Sequence, residues 1–302
     1  MKNIILETDI GVDCDDAVAL ALLLNAHKKH EIALEYVAAS TARKGATGTV
    51  KAIAAYYGVE VQTGALYKEY LACDHKNSYA AYVSNVFHAP DSKRDAIRDL
   101  RQIFAAGDKR FTYIAIGPFE GLARFLKSTG DDISPKTGKE LFHECVDEIY
   151  MMGGAFSESE PDPEWNIYQS ISGADYVTRN LKVPAYIVPA ELGRSILTGQ
   201  TLTEEPDNPV FVSIEQFIKN ELKIQNPVAY HRESWDPVTC YIAVNPDSPL
   251  FCLSEFGYVH VTNGGFTIFT PEESGNYRIA KAAADSEVIA EEINKRIPSI
   301  KG

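Results

Sequence analysis

The chain has 302 residues, 45% of them hydrophobic and 24% charged, and 29 Lys and Arg against 42 Asp and Glu leave a formal net charge of −13. This is the composition of a folded globular protein, and the acidic balance argues against a nucleic-acid partner, which needs clustered basic surface to meet phosphates. The longest wholly apolar run, 17–24, is far short of the ~20 residues that span a bilayer, so no membrane partner is expected either. Met1-Lys2-Asn3 leads straight into Ile4-Ile5-Leu6 and then acidic residues, without the apolar region and cleavage site of a signal peptide, so a cytoplasmic location is expected. The five cysteines, Cys14, Cys73, Cys145, Cys240 and Cys252, are scattered and lack CxxC spacing, which fits free thiols rather than a disulfide framework or a zinc site.

In chain order, residues 3–6 read as a buried strand and 16–27, apolar almost all round, as a buried helix. Further strands are expected at 33–39, 111–116, 148–152 and 185–188, with helices at 47–57, 95–105 and 173–180 between them. Such alternation specifies one α/β domain over 1–302, with a central, mainly parallel sheet flanked by helices on both faces. The segment 67–90, with mixed aromatics and two histidines, is a candidate mobile cover, and 161–163 and 204–209 are proline- and acid-rich loops. Near the end, 258–261 and 267–270 flank Asn263-Gly264-Gly265, the signature of an antiparallel hairpin, and Asp285-Ser286 cap a last helix to about Arg296, ended by Pro298.

In this architecture ligands bind beyond the carboxyl ends of the strands. The first strand ends there in Glu7-Thr8-Asp9-Ile10-Gly11-Val12-Asp13-Cys14-Asp15-Asp16, five carboxylates in one strand-to-helix turn. Like charges at such density need a cation or raised pKa values. Hard oxygen ligands suit Ca²⁺ or Mg²⁺, and Ca²⁺ accepts roughly 6–8 of them in irregular geometry. Helix capping by Asp15 and Asp16 explains two of the carboxylates but not Asp9 and Asp13.

This acidic block, continued by Ala17, resembles the amino-terminal signature of the inosine-uridine preferring nucleoside hydrolases. Further matches follow in order: Gly117-Pro118-Phe119-Glu120-Gly121-Leu122-Ala123, Met151-Met152-Gly153-Gly154-Ala155, Pro163-Glu164-Trp165-Asn166-Ile167-Tyr168 and Ser234-Trp235-Asp236-Pro237. The resemblance implies a nucleoside hydrolase-like fold and Ca²⁺-dependent hydrolysis of the N-glycosidic bond of a ribonucleoside or related N-ribosyl compound. It implies metal ligation by Asp9, Asp16 and Asp236 with the backbone carbonyl of Glu120, and Asp9 as the base that activates a metal-bound water. Sugar binding would fall to Asp15, Glu164 and Asn166, with Met152 against the ring and Trp235 beside the base. A homodimer or homotetramer is the family's usual assembly.

The departures from the family pattern are informative. Glu7 stands where aspartate is usual, and two extra residues before Asp15-Asp16 leave open which of Asp13, Asp15 and Asp16 meets the metal. The family's ribose-binding asparagine falls near Ser40, and Trp235 replaces the histidine with which many purine-active members protonate the departing base. Tryptophan donates only an indole hydrogen bond. His231, His75 and His88 are the candidates for a substitute acid. Two rival readings follow, a ribose- or nucleoside-binding member with weakened catalysis, and a Mg²⁺-dependent phosphoryl-transfer enzyme, for which Gly11 alone supplies no phosphate cradle.

Overall fold

The computed structural model describes residues 1–41, 43–66, 78–199, 205–225 and 231–297. Its elements are β1 (Lys2–Thr8), α1 (Asp15–Lys28), β2 (Ile32–Ala39), α2 (Ala46–Tyr56), β3 (Thr63–Ala65), α3 (Tyr79–Val86), α4 (Ala96–Ala106), β4 (Phe111–Ala115), α5 (Glu120–Lys127), α6 (Gly138–Cys145), β5 (Val146–Met152) and α7 (Trp165–Gln169). There follow α8 (Ile171–Asn180), β6 (Ala185–Val188), α9 (Ala190–Arg194), β7 (Leu197–Thr198), α10 (Pro209–Asn220), β8 (Arg232–Glu233), α11 (Trp235–Val244), β9 (Phe251–Leu253), β10 (Gly257–Val261), β11 (Thr267–Pro271), β12 (Tyr277–Ala282) and α12 (Ser286–Lys295).

Among the described residues the main sheet has ten strands in the order β11-β10-β12-β6-β5-β4-β1-β2-β3, with β9 branching from β12. Every pair from β12 to β3 along this path is parallel, whereas β10 runs antiparallel to both β11 and β12 and β9 antiparallel to β12. The expected hairpin is therefore present as β10 and β11, joined to the parallel sheet through β12, which the periodicity did not reveal. Three expectations are corrected in detail. Pro209 is not loop but the first residue of α10, behind the cap Asn208, the position where a missing N–H costs nothing. Asp285 precedes α12 without a side-chain capping bond. Cys14, not Asp15 or Asp16, occupies the cap position of α1, so the two acids are its first-turn residues. Pro298, Cys73 and His75 lie outside the described residues; the other four cysteines are free thiols.

The period of two along the strands divides the core into two clusters, one on each face of the sheet. Ile4 and Leu6 of β1 fall in one cluster with α1, α2 and α11, while Ile5 falls in the other with α4, α5, α6 and α8. The same alternation places Ile114, Tyr150 and Met152 on the first face and Tyr113, Ile149 and Met151 on the second. Glu7 shares the parity of Ile5. Its carboxylate therefore turns away from Thr8 and the acidic loop, accepting hydrogen bonds from the Tyr113 hydroxyl (2.6 Å) and the Leu122 N–H (3.1 Å). Leu122 is the third residue of α5, whose cap position Phe119 offers no side-chain bond, so Glu7 serves as a remote cap. Glu7 is thus an acid long enough to span to a neighbouring helix.

Burial pushes the Glu7 carboxyl from 4.5 up to about 7. A carboxyl whose folded pKa is raised stabilises the fold fully below its unfolded pKa, and that contribution is lost as pH rises through the folded value. Glu7 thus costs about 3 kcal/mol of stability between pH ~4.5 and ~7. Glu7→Gln removes the charge, so denaturant unfolding from pH 5 to 8 should show the variant gaining on the parent by up to that amount. A stability gap independent of pH would contradict this.

Candidate functional site

Beyond the carboxyl ends of β1, β4, β5 and β6 lies a cavity of about 880 Å³, within the ~300–1,000 Å³ range of small-molecule sites. Its floor is acidic. Asp15 and Asp16 are the first two residues of α1, and Asp236 is the second residue of α11, so the N-termini of two buried helices converge there. Asp15 Oδ2 accepts the Asp236 backbone N–H at 3.1 Å, joining the helix ends across 221 positions of sequence. Asp16 Oδ1 accepts the Thr8 hydroxyl, which itself receives the Ile10 N–H at 3.1 Å.

One carboxylate oxygen each from Asp15, Asp16 and Asp236 lie within 4.8 Å of one another, and all three residues are buried. Burial first, and after it repulsion from neighbouring carboxylates, Asp9 and Asp13 among them, hold all three pKa values well above the carboxylate range. No guanidinium or ammonium is paired with any of them among the described residues. Three buried carboxylates with converging oxygens and no internal counter-ion have the donor chemistry of a divalent-cation site, since a cation would restore their ionisation. Asp9 lines the same cavity but stands outside this group of three; burial raises it to about 7 against the opposing charge of Arg43.

The loop between Asp9 and Asp15 is held from outside. Gly11 has φ +108° and a Cβ there would lie 2.9 Å from that of Ala80, so only glycine fits. Its carbonyl accepts Arg43 Nη1 (2.8 Å) and Ser78 Oγ (3.0 Å); its N–H donates to the Tyr79 hydroxyl (2.8 Å), which in turn donates to the Asp13 carbonyl (2.8 Å). The described part of the expected cover, Ser78 onward, is thus a helix start that clamps the acidic loop. Asp13 leaves the metal-type cluster for an ion pair with Arg232, Nε to Oδ1 at 2.8 Å and Nη2 to Oδ2 at 2.5 Å.

On the opposite wall, Glu164 caps α7, its carboxylate accepting the N–H groups of Asn166 (2.8 Å), Ile167 (3.1 Å) and Gly154 (3.0 Å). Burial still raises it to about 7 against these bonds. The Asn166 amide nitrogen reaches the carbonyl (3.3 Å) and sulfur (3.2 Å) of Met152, which fixes both residues at the cavity wall. Trp235 closes one end. Its indole N–H donates to the Ala190 carbonyl at 2.8 Å, it packs against Gly193 so closely that a Cβ there would meet Cδ1 at 2.2 Å, and the Arg232 guanidinium lies 5.1 Å over its ring and 5.3 Å over that of Phe217.

The structure therefore gathers Asp9, Asp15, Asp16, Met152, Glu164, Asn166, Trp235 and Asp236 around one cavity. Glu120 is not among the lining residues; its carboxylate goes to Arg124 (3.0 Å) and Ser170 (2.8 Å). Ser40 is not there either, its buried hydroxyl sitting behind Gly117 without a partner. Asp15, assigned by resemblance to the sugar, belongs geometrically with the carboxylate trio. Arg43, Phe217 and Arg232 went unnoticed in the sequence, although Arg232 stands only four residues before Asp236.

A cavity at the strand ends of a parallel sheet, floored by carboxylates that converge closely enough to hold a metal ion, is the arrangement of a small-molecule site in an α/β protein. The chain belongs to the inosine-uridine preferring nucleoside hydrolase family, whose model matches residues 4–295. No curated protein sequence matches it. Solved structures share the fold at low identity. An inosine-uridine preferring nucleoside hydrolase from Bacillus anthracis has a TM-score of 0.74 and 17% identity over 99% of both chains, and a purine-preferring ribonucleoside hydrolase from Gardnerella vaginalis 0.69 and 19% over 98% of both. The type III effector XopQ, solved with adenosine diphosphate ribose, scores 0.66 at 14% identity, over 98% of this chain and 92% of its own.

Since burial and the repulsion of neighbouring carboxylates shift Asp15, Asp16 and Asp236 toward their protonated forms, loading a cation should release protons. Titrating chelator-treated protein with a divalent cation near pH 6 should show proton release by calorimetry in buffers of different ionisation enthalpy. The melting temperature should rise, with about 2.7 kcal/mol of added stability at a hundredfold excess over Kd. Asp236→Ala should remove most of both effects, and a cation without heat or thermal shift would refute the site.

Proposed function

We infer that this chain is a Ca²⁺-dependent hydrolase of the N-glycosidic bond of a ribonucleoside or related N-ribosyl compound. The observation that carries the reading is the convergence of Asp15, Asp16 and Asp236 beside Asp9, opposite a wall that carries Glu164, Asn166 and Met152, in one cavity. By resemblance Asp9, Asp16 and Asp236 would be the side-chain ligands with the Glu120 carbonyl as a further oxygen, and Asp15, whose carboxylate converges with those of Asp16 and Asp236, would join the set. When bound, the cation supplies a polarised water at neutral pH.

The chain's own residues do the rest. Asp9 takes the proton of the attacking water as its oxygen bonds to the anomeric carbon. Glu164 and Asn166 accept and donate hydrogen bonds to the ribose hydroxyls and hold the anomeric carbon toward Asp9. Met152 packs under the sugar ring. The transition state is oxocarbenium-like, and the surrounding carboxylates favour its positive charge. A homo-oligomer is part of this reading by family resemblance alone.

A binding-only role is the second reading, favoured by one observation: the described lining residues include no histidine, and the Trp235 N–H is already given to Ala190. Turnover separates the two. Asp9→Asn should abolish hydrolysis while leaving ribose binding measurable. Asn166→Ala should weaken ribose binding by about 1–3 kcal/mol, the cost of leaving buried polar partners unpaired. Equilibrium dialysis with ribose and steady-state kinetics with a riboside test both, and an unchanged Kd in Asn166→Ala would overturn its assigned role.

A further inference from the structure

The hairpin of β10 and β11 lies outside the parallel part of the sheet, yet its inner face meets the cavity wall at three points. Strand alternation turns Thr267 and Phe269 of β11 inward and leaves Ile268 and Thr270 exposed. Thr267 Oγ1 accepts the Ala155 N–H at 2.9 Å and donates to the Ala155 carbonyl at 2.8 Å, across 112 positions of sequence. The Phe269 ring meets that of Phe156 edge-on, with centroids 6.4 Å apart. Gly265, in the hairpin turn, lies against Pro163, whose Cβ is 3.4 Å from the point where a Cβ of Gly265 would stand. Ala155 and Pro163 both line the cavity, so one hairpin braces both ends of the wall segment 155–163.

What the brace holds is a turn built on Gly154, at φ +78°, whose backbone is free to take other conformations unless its neighbours are fixed. After this glycine come two peptide groups, each tied at one end by other residues. The Gly154 carbonyl accepts the Ala190 N–H (2.9 Å), and the Phe156 N–H donates to Glu191 (3.1 Å). Thr267 ties the remaining ends, since the Ala155 N–H belongs to the first peptide and the Ala155 carbonyl to the second. Before the glycine, its own N–H donates to Glu164 Oε2 at 3.0 Å. Where that N–H points therefore helps to decide where the buried Glu164 carboxylate lies, and a misplacement of about 1 Å can cost two orders of magnitude. Resting on the ribose-binding role given to Glu164 above, we propose that Thr267 is a positioning residue for sugar recognition: by fixing the Ala155 backbone it aims the Gly154 N–H at Glu164 and holds that carboxylate toward the cavity. The effect is confined to this wall, because Asp15, Asp16 and Asp236 are carried by α1 and α11 on the floor.

The test uses two substitutions at one position. Valine keeps the branched shape of threonine and loses both hydrogen bonds, whereas serine keeps the hydroxyl. Ribose binding to the Ca²⁺-loaded protein, followed by equilibrium dialysis, should weaken about five- to thirtyfold in Thr267→Val, the loss expected when the backbone groups that set the wall are left unpaired. Thr267→Ser should recover most of the parent's affinity. Ca²⁺ affinity without ribose should stay at the parent's value in both variants, a separation that a general loss of structure would not give. Because Thr267 acts through Glu164, combining Thr267→Val with Glu164→Gln should weaken ribose binding by less than the product of the two single losses. Equal ribose affinity in parent and Thr267→Val, no recovery in Thr267→Ser, a parallel fall in Ca²⁺ affinity, or a full product in the double variant would each overturn the proposal and leave the ribose reading standing. If the parent itself binds no ribose, the proposal and that reading fall together.

Discussion

Burying carboxylates without internal counter-ions is the constraint on which this molecule is organised. Each of Asp15, Asp16 and Asp236 is withdrawn from water, and each would be prohibitively costly as an isolated charge. The fold meets that cost by aiming the N-termini of α1 and α11 at the same point, where backbone N–H groups and helix dipoles favour negative charge. The helices can converge because both are apolar almost all round and pack against one another and the sheet's central strands. Hydrophobic burial thus pins the polar residues in place, at a point where a cation could complete what the dipoles begin.

The neighbouring charges are sorted by the same logic. Asp13 is drawn off to Arg232, and Glu7 is turned through the sheet to the opposite core by the alternation of β1. Of five carboxylates crowded in the sequence, two therefore hold structure and three remain for chemistry. Asp13 lies on the loop before α1, where it reaches Arg232, while Asp15 and Asp16 start the helix.

What was legible in the sequence follows from which signals are local. Strands such as 33–39 and 185–188 stand out as short apolar runs between helical patterns, and the turn at Asn263-Gly264-Gly265 announces its hairpin by its own chemistry. α11 escaped notice because a helix buried on all sides has no period, and because Pro237 sits in its first turn, where it is tolerated but reads as a breaker. α5, α6 and α7 span only eight, eight and five residues, too few turns for a period to stand out in the sequence. In the site, the acids and Asn166 were legible by density and by ordered motifs. The Asp13 pairing with Arg232, across 219 positions, was not, because no local pattern encodes a contact made only by the closed sheet.

The bond from the Asp236 N–H to Asp15 reaches from the last helix of the central layer back to the first. Neither half of the carboxylate trio exists without the other, so a chain emerging from synthesis carries no assembled site until more than three quarters of its length is available to pack. Reactivity is thereby coupled to completed folding. A partly folded intermediate would hold two acids on one helix, too few for a tight cation site, and would neither sequester metal nor hydrolyse ribosides on its way to the native state.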